Sequence, residues 1–176
     1  METTERIVES YVRYVKGWAT IPNIRCSGQL EIDLLAIDPL TLNRYHIETS
    51  VSISSGFSRL TDREFSPDLL KQRVAGPDQR RTFGFFLQRK LDHPAVVDTL
   101  KSYGFEEGKY GRIIVSWDWT PGAAEQAERA SVQLWRFGDL MSAIVSMGRS
   151  ASGYFADDTL RTLHLYCLSQ AARGKR

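Results

Sequence analysis

The stretch LEIDLLAIDPLTLNRYHIETSVSIS, Leu30 to Ser54, constrains this chain more than any other, because it sets carboxylates into strands that are otherwise mostly apolar. In the first strand Leu30, Ile32, Leu34 and Ala36 alternate with Glu31, Asp33, Leu35 and Ile37. In the second, Ile47, Thr49 and Val51 alternate with His46, Glu48 and Ser50, and a tight turn at Asp38-Pro39 is expected to join the two. Two largely apolar faces predict that the first strand lies near the middle of a covered sheet. A carboxylate in such a strand is costly unless something pairs with it. If Asp33 and Glu48 share a side, they make a pair of oxygen ligands for a hard divalent cation such as magnesium, which often needs only one or two carboxylates. The same two acids also suit a solvated strand end, or ion pairs with Arg25 or Arg44.

A chain of 176 residues with 42% apolar content fills one core comfortably and two poorly, so a single domain, 1–176, is expected. The net charge of +2 permits nucleic acid without pointing to it. Cys26 and Cys167 stand far apart with no Cys-x-x-Cys or Cys/His cluster, which predicts reduced thiols and no cysteine-bound metal. METTERIVES lacks a basic stretch followed by an apolar one, and no run is long enough to span a bilayer. A cytoplasmic protein without a membrane partner is the expectation. P-loop, dinucleotide-fingerprint, HExxH and serine-elbow motifs are all missing, which weighs against ordinary nucleotide-binding and zinc-hydrolase chemistry.

Along the chain, Thr3 or Thr4 is expected to cap a helix reaching about Lys16, with Ile7, Val8, Tyr11, Val12 and Val15 as its apolar stripe and Gly17 as its stop. Thr20 to Cys26 reads as an extended edge segment that Gly28 turns back into the acidic strand, and the third strand should end near Ser54. Residues 55–80 are broken by Gly56, Pro67, Gly76 and Pro77 and are rich in arginine, with Ser66-Pro67 opening a short helix to about Val74. This excursion reads either as a loop touching phosphate or as a solvated surface. Thr82 to Lys90 predicts a helix with an aromatic face, and His93-Pro94 opens another to about Tyr103. Gly111 to Trp117 is a β-branched strand, Thr120-Pro121 starts an alanine-rich helix, and Val132 to Trp135 is a short strand. Helices over Phe137 to Met147 and Asp157 to Ala171 complete the pattern. His93 reads as a helix-start residue, and His164 as a packed or surface imidazole.

This order of elements resembles the restriction-endonuclease-like, or PD-(D/E)XK, nuclease superfamily, most nearly its Mrr-type and Holliday-junction-resolvase-like members. The residues that carry the resemblance are GQLEIDLLAID, Gly28 to Asp38, and HIETS, His46 to Ser50. Downstream, GRIIVSWDWTPGAAEQAERASVQLWRFGDLMSAI resembles the strand, alanine-rich helix, short strand and final helix that follow the family's catalytic half. The likeness spans most of 5–147, with about 55–95 as an insertion and about 157–171 as an added helix. It implies an α/β fold with a restriction-endonuclease-like core: a mixed central sheet of about five strands, flanked by helices, with a helical, basic insertion after the third strand.

The resemblance implies that Asp33 is the metal-binding aspartate, Glu48 the second acidic ligand and the Thr49 carbonyl a further one, for Mg2+ or Mn2+. Glu5 is the better match to the first-helix glutamate, with Glu9 the runner-up. The family's lysine is replaced by Ser50, a hydroxyl with neither a positive charge nor a useful base. Lys16, Lys71 and Lys90 are possible substitutes. The function implied is metal-dependent hydrolysis of DNA phosphodiester bonds. The alternative is a catalytically inactive nuclease-fold module that binds nucleic acid or assembles with protein. A two-fold homodimer is also expected, from the leucines of the last helix and from Tyr154, Phe155 and Tyr166, since a duplex suits a two-fold partner.

Overall fold

The computed structural model describes residues 2–51, 59–150 and 157–173, without the side chains at 148–150, 167 and 170–173. Helix α1 spans Thr3–Ser10 and runs on as a π-helical turn, Tyr11–Val15. Neither Thr3 nor Thr4 caps it. Glu2 does, because its side chain and that of Glu5 answer each other's backbone N–H groups in a capping box. Gly17, in left-handed backbone with φ of 73°, ends the segment as expected.

Three strands follow, β1 (Ala19–Cys26), β2 (Leu30–Ile37) and β3 (Arg44–Ser50). Gly28, with φ of 74°, turns β1 into β2. The β2–β3 connection is longer than a two-residue turn: Asp38 N–H donates to the Asn43 carbonyl, while the Asp38 carboxylate accepts from Leu40 N–H and Thr41 Oγ1. Asp38 thus closes a loop that Pro39 merely enters. The expected extension of β3 toward Ser54 and the break at Gly56 lie outside the described residues.

The excursion after β3 contains β4 (Arg59–Leu60), α2 (Pro67–Leu70), α3 (Gly76–Gln79) and α4 (Phe83–Phe85), which continues as a π-helix over Phe86–Leu91. Helix α2 has the expected Ser66 cap and first-turn proline but stops at Leu70, short of Val74. Next come α5 (Pro94–Ser102), capped by His93, and β5 (Tyr110–Ser116). The chain continues through β6 (Asp118–Trp119), α6 (Pro121–Arg129), β7 (Val132–Arg136), α7 (Phe137–Ser150) and α8 (Asp158–Arg173).

The main sheet is mixed and five-stranded, in the order β1-β2-β3-β5-β7. The first two pairings are antiparallel and the last two parallel. Strands β4 and β6 form a small parallel pair of their own. Strand alternation sorts the core. Leu34, Ala36, Ile47, Ile113 and Val115 pack under Val8 and Val12 and under Phe137 and Leu140 of α7. On the opposite face Ile114 meets Phe83, Phe86, Leu91 and the α6 alanines 123 and 127, while Leu35 meets Val96 and Leu100 of α5. The alanines bring α6 close to the sheet as their small size predicts. Two residues depart from the alternation: Leu30 and Ile32 pack with Leu35 rather than with Leu34. Opposite this point the β1 register passes through Asn23, whose φ of 53° is left-handed.

On α8, Leu160 is buried, but Leu165, Tyr166 and Leu168 are 68%, 61% and 53% exposed. Those three therefore do not fill the core. Tyr154, Phe155 and the basic tail beyond Arg173 lie outside the described residues. Among the described residues no helix is long and apolar enough to cross a membrane.

Candidate active site

Strands β3 and β2 both lie against the π-helical segment Phe86–Leu91; Glu48 is fully buried and its neighbour Asp33 on β2 is 8% exposed. The two acids sit side by side: Asp33 N–H approaches Glu48 Oε1 at 3.4 Å. Each is held by several donors. Asp33 Oδ2 accepts from the Thr49 backbone N–H at 2.8 Å, and Glu48 Oε1 lies 2.8 Å from His46 Nε2.

Between the two carboxylates stands Lys90. Its Nζ donates to Asp33 Oδ1 at 2.9 Å and to the Glu31 carbonyl at 2.9 Å. It also lies 2.7 Å from Glu48 Oε2, a contact of charges rather than an aligned hydrogen bond. The pairing with Arg25 or Arg44 considered from sequence is not the one formed. Lys71 pairs instead with Asp68, and Lys16 lies over the rings of Tyr11, Trp18 and Trp135. Of the three lysines that the sequence offers, only Lys90 reaches the acids.

The placement of Lys90 has a local cause. Phe86 and Leu91 are buried, and the wide π-helical turn that links them carries Lys90 on the side facing β2 and β3. The side chain is only 20% exposed, and its ammonium reaches the acids. Burial pushes the Lys90 ammonium toward losing its proton, but the Glu48 and Asp33 charges outweigh this and raise its pKa. Burial raises Asp33 to about 7, with the Glu48 charge adding to the effect and Lys90 opposing it. Glu48 is likewise pushed up to about 7, first by burial, with Lys90 opposing. His46 is lowered to about 3 by burial and is neutral at ordinary pH. A cluster with both acids ionised, one ammonium and a neutral imidazole carries one net negative charge.

The site opens into a cleft of about 640 Å3 at the carboxyl end of β3, the edge at which open α/β sheets commonly take ligands. Asp33, Thr49, Ser50 and Glu5 line it, and Arg80, Arg81 and Arg89 bring positive charge to it. Burial raises the Glu5 pKa, its bond from Glu2 N–H opposes this, and the Asp33 charge adds to the rise. Glu9 points elsewhere: it accepts from Thr20 Oγ1, lies 3.6 Å from Arg13 and lines a separate depression. The structure thus brings together Asp33, Glu48, Thr49, Ser50 and Glu5, and leaves Glu9 out. Sequence reasoning gave His46 no role, although a histidine two residues from a glutamate on an internal strand shares its face.

Among the described residues no three His, Cys, Asp or Glu side chains converge as metal ligands. The donors present are the Asp33 and Glu48 carboxylate oxygens, with Thr49 beside them on the cleft wall. Such a set fits a hard cation, which keeps waters and needs few protein ligands. Lys90 sits on the same oxygens, so any cation entering competes with its ammonium. No family model matches this chain, and neither a curated protein nor a solved structure matches it.

Proposed function

We propose that the chain is a metal-dependent nuclease with a restriction-endonuclease-like core, in which the lysine missing at Ser50 is supplied from the insertion by Lys90. The observation that carries this reading is the contact of one ammonium with both acids, at 2.9 Å and 2.7 Å. Two buried acids and a cation at the mouth of a basic cleft form a constellation suited to phosphodiester hydrolysis, and DNA is the proposed substrate. Asp33, Glu48 and the Thr49 carbonyl would hold Mg2+ or Mn2+; when bound, the ion supplies Lewis acidity toward phosphate and lowers the pKa of a water.

The chain's own groups do the rest. Lys90 offers a fixed positive charge and N–H donors to the charge that builds on phosphorus, in a site already removed from bulk water. Glu5, on the cleft wall, accepts a hydrogen bond from a water there. Ser50 contributes a hydrogen bond only. Arg80, Arg81 and Arg89 fix flanking phosphates without reading sequence. The inactive binding-module reading loses its main motive, because the missing cation is present from another element.

Calorimetric titration with Mn2+, beside cleavage assays on plasmid and branched DNA, tests the proposal. Asp33→Asn keeps shape and removes charge. It is expected to lower metal affinity and cleavage together, by more than the roughly 10–100-fold that loss of an outer contact costs. A parent protein with no metal-dependent heat and no cleavage would return the binding-module reading to the front.

A second expected result concerns the rim. Replacing Arg80, Arg81 and Arg89 with alanine should flatten the slope of log affinity against log salt by up to about 0.9 per lost duplex phosphate contact. Arg73, exposed and not among the cleft residues, should contribute much less. Fluorescence anisotropy across a salt series reads both, and an unchanged slope in the triple variant would move the binding face elsewhere.

A further inference from the structure

We propose that His46 is the positioning residue for Glu48: its ring donates Nε2–H to Oε1 and so turns Oε2 toward Lys90. The inference rests on the proposed function for its consequence, though not for its geometry. Both side chains are fully buried, and the contact is 2.8 Å. An ionised carboxylate paired with an ammonium accepts only, so the ring nitrogen facing it must be the one that carries hydrogen. The other nitrogen, Nδ1, has no hydrogen-bond partner among the described residues. A bare lone pair there is cheaper than an orphaned N–H, which is why the Nε2–H tautomer is selected.

The strand sets this up. His46 and Glu48 are two residues apart on β3, so their side chains leave the same face, and the hydrogen bond runs along the strand beneath the cleft. Glu48 then has its far oxygen fixed by the ring and the Asp33 N–H, and its near oxygen held out to Lys90. Without the ring, Oε1 keeps one long backbone contact, and only the Lys90 ammonium holds the other oxygen. His46 does not itself line the cleft, and its one hydrogen-bond partner there is Glu48.

The test uses the full chain, labelled with 15N, at pH 8. The ring nitrogens of His46 should give the pattern of the Nε2–H tautomer. His46→Leu fills the space without a donor, and His46→Gln restores an N–H near the Nε2 position. The leucine variant should lose 10-fold or more in Mn2+ affinity, the cost typical of a lost outer partner. It should also lose the protected Nζ signal of Lys90, and the glutamine variant should recover most of both. A ring protonated on Nδ1, a doubly protonated ring, or a folded leucine variant with the parent's affinity and Lys90 signal would overturn the inference. If the parent binds no Mn2+, the metal reading fails separately, and the Lys90 signal alone decides whether His46 orients Glu48. If His46→Leu does not fold, the tautomer of the parent decides it.

Discussion

Replacing Lys90 with methionine is expected to cost about 3–5 kcal/mol of folding stability at pH 8, the usual penalty for stranding a buried charge partner. Two carboxylates rather than one lose their counter-charge. The deficit should shrink toward pH 5, and the sign follows from proton counts. Asp33 and Glu48 are raised to about 7 in the folded chain, against about 4 when unfolded. Between those values the folded state holds protons that the unfolded state has released, so their contribution to stability falls as pH rises. Removing Lys90 moves both folded values higher and deepens that fall. Lys90 itself, raised above its ordinary value, contributes fully throughout this range and is lost only at far higher pH. The lowered His46 acts with the opposite sign below its unfolded pKa of about 6.5, and because the Lys90 charge helps to lower it, the variant feels this loss less, which shrinks the deficit further toward low pH. Urea unfolding of both proteins at pH 5, 6.5 and 8 gives the comparison. A deficit that stays constant with pH would mean that the methionine harms packing and not charge. Mn2+ should also stabilise the variant more than the parent, since the ammonium no longer competes for the same oxygens.

The second large effect is on catalysis. Lys90→Ala should lower DNA cleavage by roughly 10²–10³-fold, the range for losing one preorganised donor at a developing charge. Ser50→Lys alone should bring no gain, because it crowds a site that already has its cation. The double variant, Lys90→Ala with Ser50→Lys, is the informative one. Ser50 lines the same cleft as Lys90 and leaves the same face of β3 as Glu48. A lysine there should recover at least about ten-fold over Lys90→Ala if the two positions supply interchangeable charge. Single-turnover rates on plasmid DNA, with circular dichroism to verify folding, separate the outcomes. Equal rates for Lys90→Ala and the parent would remove Lys90 from the mechanism.

Much of the scaffold is legible in the sequence because local signals and tertiary structure agree. Ser66-Pro67, His93-Pro94 and Thr120-Pro121 each open a helix as a cap followed by proline. The alternation around Asp33 and Glu48 gives two adjacent strands with the acids side by side. Signals fail where a nearby side chain outcompetes the expected one, or where a neighbour distant in sequence decides. Glu2 displaces the threonines as cap because Glu5 reciprocates, and the Asp38 carboxylate lengthens a turn that Asp-Pro alone predicts to be short. What the sequence leaves undecided is the partner of the acids, for which it offers three lysines. A lysine in an amphipathic helical stretch ordinarily marks a solvated face, and nothing local separates Lys90 from Lys16 or Lys71. Only the π-helical widening after Phe86, itself a packing outcome, aims it at the sheet.

That Lys90 comes from the excursion also orders events during synthesis. The chain grows from its N-terminus, so β2 and β3 exist before the residue that neutralises them, which follows Asp33 by 57 positions. Until then the hairpin cannot close its upper layer without trapping two like charges. Docking of Phe83–Leu91 delivers the counter-ion to the acids, while its apolar residues pack on Ile114 of β5 and on α6. The unfinished hairpin therefore stays hydrated, and an incomplete chain is kept from settling into a dry but acid-stranded core.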